Sequence, residues 1–526
     1  MRAATAGVSC LLPQLTAPAA GPAIAPRRPN IIIFLTDDMG FSDPGCFGGE
    51  IETPHLDRLA AGGLRFTNFY STARCWPTRA GIMTGHYAQA VRMDPVKPPL
   101  PRWTRFMPQY LKPAGYRSYM SGKWHINPAG DLLKDAGFDA AARYDDTDHH
   151  FVGRSGRAGG AATRASGDGD YAAVRLANNA IGFLRDHAAA HTAKPFFLYV
   201  PFTEPHFPLH AMRDDIAVYR DRYLDGWDSM RRRRWQRQRE MGIVNCDLPP
   251  LEGDIKAPGC QPKFLQQLGE GEIDHAVPWK DLTAQQQRFQ ATKMAIHAAM
   301  VHRIDREVGR ILEQLKAMGA YDDTIVFFCS DNGASAEILI RADGHDPSAE
   351  PGSAASYLCL GPGWSAACNT PFRRHKIWVH EGGISSPLIV HWPAGIAARG
   401  ELRHDPGHIV DFVPTALDLA GVAPPAKVNG VDAPPLHGLS LVPAFGANGA
   451  VQRDSLYFNH SGNRALRMGD WKIVSAGAGA GWELHDLRTD RCERVNLAEK
   501  EPDRLKQMAA RWERADAEFR KLAGGK

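Results

Sequence analysis

Four hydrophobic runs in this chain each end in a cluster of polar residues, and that pattern narrows the fold more than any other feature. NIIIFLT (30–36) leads into Asp37 and Asp38, and TIVFFCS (324–330) leads into Asp331 and Asn332. YRSYMS (116–121) is followed by Gly122, Lys123, Trp124 and His125, and KPFFLYVPF (194–202) by Thr203, Glu204, Pro205 and His206. A continuous apolar run of this length fits a strand buried on both faces of a parallel sheet. Helical patterns lie between the runs. TPHLDRLAAGG (53–63) has Thr53 as N-cap, Pro54 at the first helical position and glycine just past the end. Val301, Ile304, Val308, Ile311 and Leu315 keep helical spacing until Gly319 stops the run. Strands alternating with helices define an α/β fold, with a large, mostly parallel central sheet flanked by helices. In open sheets of that kind ligands bind beyond the carboxyl ends of the strands, so the four clusters are expected to converge on one site.

Each cluster taken alone has a plain structural reading. Asp37-Asp38 would serve as a turn and helix cap, Asp331-Asn332-Gly333 is ordinary turn composition, and Lys123 or His206 would be unremarkable on a surface. Repetition of the same strand-then-polar pattern is what favours a site.

The 526 residues leave room for more than one domain. No stretch reaches the roughly 20 apolar residues of a membrane-spanning helix, so no membrane partner is expected. A net charge of +4 on this length argues against a nucleic-acid surface. The nine cysteines show no zinc-ligand spacing; Cys246/Cys260 and Cys359/Cys368 are near enough in sequence to pair under oxidising conditions. Residues 1–27 are rich in Ala, Pro and Gly, with Leu11-Leu12 ended by Pro13. They read as a weak export signal or a disordered tail, giving a periplasmic or secreted location as the expectation and a cytoplasmic one as the alternative.

Three aspartates and an asparagine offer only oxygen ligands, which suit calcium or, less well, magnesium. Around them stand the cations Arg79, Lys123 and Lys376 and the proton carriers His125 and His206. Such a surplus of positive groups fits a tetrahedral anion, a sulfate or a phosphate. Into this setting STARCWPTRAGIMTG (71–85) brings Cys75, where a helix begins, with Pro77 in its first turn. A helix N-terminus lowers a thiol's pKa and favours an anion nearby. A thiolate is nonetheless a poor partner for an oxygen-seeking metal, and attack by sulfur on a sulfate ester would leave a sulfur–sulfur bond that is awkward to release. An oxygen nucleophile would suit the site better.

The run C-W-P-T-R-A-G-I-M-T-G resembles the signature of type I sulfatases, Cys-x-Pro-x-Arg followed by a small-residue helix and Thr-Gly. Companion segments follow in the family's order: RPNIIIFLTDDMGFSD (28–43), SGKWH (121–125), EPHFP (204–208), FFCSDNG (327–333), and Lys376 through HEGGISSP (380–387). GNRALRMGDWKIV (462–474) and WELHDLRTDRCERVNLA (482–498) are similar to the family's C-terminal subdomain, so the likeness spans roughly residues 28–515. The resemblance implies an alkaline-phosphatase-like α/β sandwich, with a disordered tail or export signal over 1–27. It further implies a catalytic domain over 28–445, and over 446–526 a smaller subdomain with a short antiparallel sheet and a helix. It implies that Cys75 is oxidised to formylglycine by a maturation enzyme, and that Asp37, Asp38, Asp331, Asn332 and the modified residue 75 bind calcium. Hydrated to a geminal diol, residue 75 would attack sulfur. Arg79 would hold the diol, Lys123 and Lys376 would grip the sulfate, His206 would protonate the leaving oxygen, and His125 would help the second hydroxyl expel sulfate. The expected activity is hydrolysis of a sulfate monoester, an aryl sulfate by likeness to bacterial arylsulfatases, with a sulfated carbohydrate as the alternative. A phosphate or phosphonate monoester hydrolase on the same fold is the nearest rival, and a non-catalytic binding protein the other.

Two further segments carry weaker signals. Residues 335–376, Gly/Ala/Ser-rich and long for a connection inside a domain, are expected to border the substrate entrance. RRRRWQRQRE (231–240) reads as a solvated helix face rather than a nucleic-acid surface, and HSGNR (460–464) as an ordinary turn, with an approach to the site from the C-terminal subdomain as the alternative. The sequon at Asn459 matters only in a glycosylating host.

Overall fold

β1 (Asn30–Thr36) is the central strand of the molecule, hydrogen-bonded on both sides. The computed structural model describes residues 28–126, 130–145, 149–151, 171–341 and 344–524, so the expectations for residues 1–27 lie outside the described residues. The remaining strands of the main sheet are β2 (Leu64–Phe66), β3 (Arg117–Gly122), β4 (Ala140–Arg143), β5 (Phe196–Pro201), β6 (Thr324–Ser330), β7 (Leu388–His391) and β8 (Glu401–Arg403). Their order is β4-β3-β5-β1-β6-β7-β2-β8. All neighbours pair in parallel except β7, which runs against both β6 and β2. Ile33 stands opposite both Tyr199 and Phe327, so β1, β5 and β6 finish at one edge of the sheet and release their polar residues together.

Alternation along β1 divides the interior in two. Ile32 and Phe34 face a core built with α3 (Ala172–Ala190) and α5 (Ala284–Ala317). Ile31, Ile33 and Leu35 face the other core, with Ile82 and Met83 of α2 (Cys75–Thr84). Helix α1 (Pro54–Ala61) forms as its proline and following glycine require. The helical spacing at 301–315 proves to be the second half of the 34-residue α5. Its start carries a capping box, in which Thr283 accepts from the Gln286 N–H and the Gln286 side chain accepts from the Thr283 N–H.

Beyond the main sheet, β9 (Leu456–His460), β10 (Asn463–Met468), β11 (Trp471–Ser475) and β12 (Glu483–Asp486) make an antiparallel meander, followed by α6 (Pro502–Leu522). Tyr457, Leu466, Ile473 and Leu484 share the second core with Met508, Trp512 and Phe519 of α6. A buried charge network joins this part to the main sheet: Lys472 contacts Glu381 at 2.9 Å and Glu493 at 2.8 Å, and Arg491 contacts Glu381 at 3.2 Å.

Two expectations are corrected here. The disulfide is Cys246–Cys492, across 246 residues of sequence, while Cys260, Cys359 and Cys368 are free thiols. Cys368 closes a short helix, Pro362–Cys368, with its sulfur against Met294, so nearness to Cys359 in sequence does not become nearness of thiols. The arginine run belongs to α4 (Gly226–Glu240), and only part of it is solvated. Arg232, Arg233 and Arg239 are exposed, whereas Arg231, Arg234 and Gln238 fall on the inward face at helical spacing. Arg234 is wholly buried between Asp43 and Glu50, each 2.8 Å away.

Candidate active site

The C-terminal ends of β1, β6, β3 and β5 bring the four polar clusters together, and the start of α2 closes the group from the side. Asp37, Asp38, Asp331 and Asn332 are all buried, as are Arg79, Lys123, His206, Lys376 and Cys75. Oxygen or sulfur atoms of Asp37, Cys75 and Asp331 lie within 4.8 Å of one another, and ligand atoms of Asp37, Asp38 and His206 do the same.

Each carboxylate has a cation. Arg79 Nη2 is 2.8 Å from Asp331 Oδ2 and 3.3 Å from Asp37 Oδ2, and Lys123 Nζ donates to the same Asp37 oxygen. Lys376 Nζ donates to Asp38 Oδ2 at 2.8 Å, while Asn332 Nδ2 donates to Asp38 Oδ1 at 2.7 Å. Burial alone would push the Asp37 carboxyl up, but Lys123 and Arg79 outweigh it and hold it well below the usual carboxylate range. Asp331 goes the other way. Burial and the Asp37 charge push it well above that range, with Arg79 only partly offsetting them. Burial likewise leaves Asp38 raised in spite of Lys376. Backbone geometry crowds these groups: Asp38 sits at φ 67°, and a Cβ on Gly333 would fall 1.8 Å from the Gly382 carbonyl oxygen. Only glycine fits directly after Asn332.

Two buried oxygens, Asp37 Oδ1 and Asn332 Oδ1, have no hydrogen-bond partner among the described residues. Unpaired buried acceptors beside three crowded carboxylates are the donor set of a hard divalent cation, so the residues fit one.

Burial works against a charge on both histidines. His206 Nδ1 donates to the Phe207 carbonyl at 2.5 Å, leaving Nε2 as a lone pair 3.7 Å from Asp38 Oδ2. Burial, then Lys376, keeps its pKa well below the ordinary value. His125, at φ 51°, is depressed to about 3 by burial and then by Lys123 and Arg79. Its ring lies 5.7 Å from that of Trp76.

Every residue proposed from the sequence is therefore in one cluster, with His125 at its rim. Three participants were not proposed. Thr78 donates to the Asp331 carbonyl at 2.6 Å and locks α2 to β6; it occupies the second variable place of the Cys-x-Pro-x-Arg run. Glu337, from the 335–376 segment, accepts from Lys376 at 3.1 Å and from Arg74 at 3.1 Å. Nothing in its local sequence distinguishes Glu337 from a surface acid. The third, Arg74, immediately precedes Cys75. HSGNR is the β9–β10 turn, as read, yet His460 also stands 5.7 Å from Trp76 and bonds Asp94 at 3.0 Å.

The Sulfatase family profile matches residues 29–422, and that of the N-sulphoglucosamine sulphohydrolase C-terminal region matches residues 373–517. An uncharacterized sulfatase of Schizosaccharomyces pombe is 30% identical over 92% of this chain and 93% of its own. An arylsulfatase of Klebsiella aerogenes is 29% identical, covering 79% of this chain and 91% of its own. An N-acetylgalactosamine-6-sulfatase of Canis lupus familiaris is 28% identical over 93% and 79% respectively. Among solved structures, Ps i-CgsB in complex with k-i-k-neocarrahexaose superposes with a TM-score of 0.64 at 22% identity, covering 93% of both chains. The chain belongs to the sulfatase family and has its alkaline-phosphatase-like fold. That membership supports hydrolysis of sulfuric esters.

Proposed function

We propose that this protein cleaves a sulfate monoester of a ring alcohol, using formylglycine made from Cys75 by a maturation enzyme, with calcium held by Asp37, Asp38, Asp331, Asn332 and residue 75. The observation that carries this reading is the placing of Cys75 beside Asp37 and Asp331, among Arg79, Lys123 and Lys376. A bound calcium would neutralise the crowded carboxylates and polarise a sulfate oxygen. The hydrated aldehyde at residue 75 would supply both the attacking hydroxyl and, through its second hydroxyl, the means of releasing sulfate.

The chain's own residues do the rest. Arg79, fixed on Asp331 and donating to the Lys123 carbonyl at 3.0 Å, sits one helical turn from residue 75 and would steady the diol there. Lys123, just past the end of β3, and Lys376, in the turn after the Pro362–Cys368 helix, reach Asp37 and Asp38 respectively, and their two ammonium groups would bind the oxygens of a tetrahedral anion. Negative charge arriving beside His206 Nε2 favours the protonated ring, from which the leaving oxygen takes its proton. His125 would take the second hydroxyl's proton at a buried Nδ1 that has no partner among the described residues, and a bound anion offsetting Lys123 and Arg79 would raise its basicity.

The arylsulfatase relative supports an aryl leaving group. The N-acetylgalactosamine-6-sulfatase relative and the structural neighbour crystallised with an oligosaccharide favour a sugar ring as the second reading. The Cys246–Cys492 disulfide supports a periplasmic or secreted location.

Intact-peptide mass spectrometry across residue 75 tests the chemistry: conversion of the thiol to the aldehyde lowers the mass by about 18 Da. Active enzyme carrying an unmodified cysteine would overturn the mechanism. Relative turnover of p-nitrophenyl sulfate, p-nitrophenyl phosphate and a phenylphosphonate ester tests the substrate class, and dominant phosphonate turnover would sink it.

A further inference from the structure

From Asp38 outward the site is a chain of alternating charges. Asp38 pairs with Lys376, Lys376 with Glu337, and Glu337 with Arg74. Side-chain exposure along it is 3% for Asp38, 0% for Lys376, 8% for Glu337 and 19% for Arg74, so the chain leads from the buried floor to the mouth. Arg74 is extended backbone at the foot of α2, next to Cys75. Its guanidinium lies 5.4 Å from the Trp76 ring centre, and that indole is wedged edgewise between His125 and His460, 5.7 Å from each. Nη1 serves Glu337, Nε is buried without a partner, and Nη2 has no partner among the described residues.

A sulfate seated over Lys123 and Lys376 has to send its leaving group out through the partly exposed part of the site. That part is made by Arg74, Trp76 and His125. Glu337 engages only Nη1 of Arg74, so the guanidinium keeps spare donors, and it is a group that prefers paired acceptors. We infer that Arg74, propped by Trp76, is a specificity-determining residue that reads a second anionic group, a carboxylate or a further sulfate, on the leaving-group ring. The inference rests on the sulfate-ester reading for the position of the ester but not for the recognition itself.

The test compares phenyl sulfate with 3- and 4-carboxyphenyl sulfate. At low salt, kcat/KM for at least one carboxylated ester is expected to exceed that for phenyl sulfate by about tenfold, a preference that falls as salt screens it. In Arg74→Gln the ratio is expected to collapse toward one. Binding of the same esters to Cys75→Ala protein, measured by calorimetry, reads recognition without turnover and should show the same preference and the same loss on adding Arg74→Gln. Equal kcat/KM for all three esters, or a ratio that Arg74→Gln leaves intact while both rates fall, overturns the inference and leaves Arg74 as a brace for Glu337. Preferential binding of the carboxylated esters with no hydrolysis by formylglycine-bearing enzyme would sustain the subsite and sink the sulfatase reading.

Discussion

Arg79 Nη2 and Asp331 Oδ2 meet at 2.8 Å with both side chains fully buried, joining the signature helix to the residue that follows β6, the strand beside β1. Removing one partner of a buried ion pair leaves the other uncompensated, a loss of about 3–5 kcal/mol. Arg79→Met is therefore expected to lose stability on that scale in urea unfolding, and Arg79→Lys less. A Met variant as stable as wild type would mean that Asp331 does not depend on Arg79 for its charge.

The raised carboxyls of Asp331 and Asp38 are a load that a bound divalent cation would relieve. Calcium that binds only the folded state stabilises by about 2.7 kcal/mol at a hundred times its dissociation constant. Thermal melting should rise with added calcium and fall with chelator, with magnesium weaker, and Asp38→Asn should flatten the response. An unchanged response in that variant would place the ion elsewhere.

Arg234 gives a sharper contrast because its neighbours in sequence are its controls. Arg234→Met strands Asp43 and Glu50 and should cost about 3–5 kcal/mol, while Arg232→Met, on the exposed side of the same helix, should stay within about 0.5 kcal/mol. Equal effects on the urea midpoint would refute the assignment of faces.

Acid sensitivity should come from buried histidines. His437 accepts from the Tyr87 N–H at Nδ1, and burial lowers it from 6.5 to about 4. Its folded value lies below its unfolded one, so the unfolded chain takes up the proton first. Stability is complete above pH 6.5 and is lost as pH falls from 6.5 to about 4. His437→Gln keeps an acceptor without titrating. It should reduce the slope of stability against pH in that window by up to about 1.4 kcal/mol per pH unit. An unaltered slope would show that other groups carry the effect.

The parts of this site that could be read from the sequence were those fixed by local pattern. Runs such as NIIIFLT declare a doubly buried strand by themselves, and the residue after such a run must emerge at its carboxyl end. Cys75 and Arg79 stand in one short motif, and Pro77 falls inside the first turn of α2. What escaped depended on distance or phase. Glu337 meets an arginine 263 positions away, and Cys492 a cysteine 246 positions away. Arg234 looks no different from Arg233 until the rotation of α4 relative to Asp43 is known. The first half of α5 is hidden in the sequence because its Gln-rich opening masks the apolar spacing.

The charge network of Lys472 and Glu493 around Glu381 has a consequence in time. Glu381 lies in the same stretch of chain as Lys376, yet its counter-charges arrive more than ninety positions later in synthesis. Until then a ribosome-bound chain holds an uncompensated acid where the main sheet must close against β10 and β11. Cys75 precedes all of these residues in the chain, and in the folded protein it is only 3% exposed. On the proposed chemistry, a modifying enzyme has to reach the thiol before the fold closes over it.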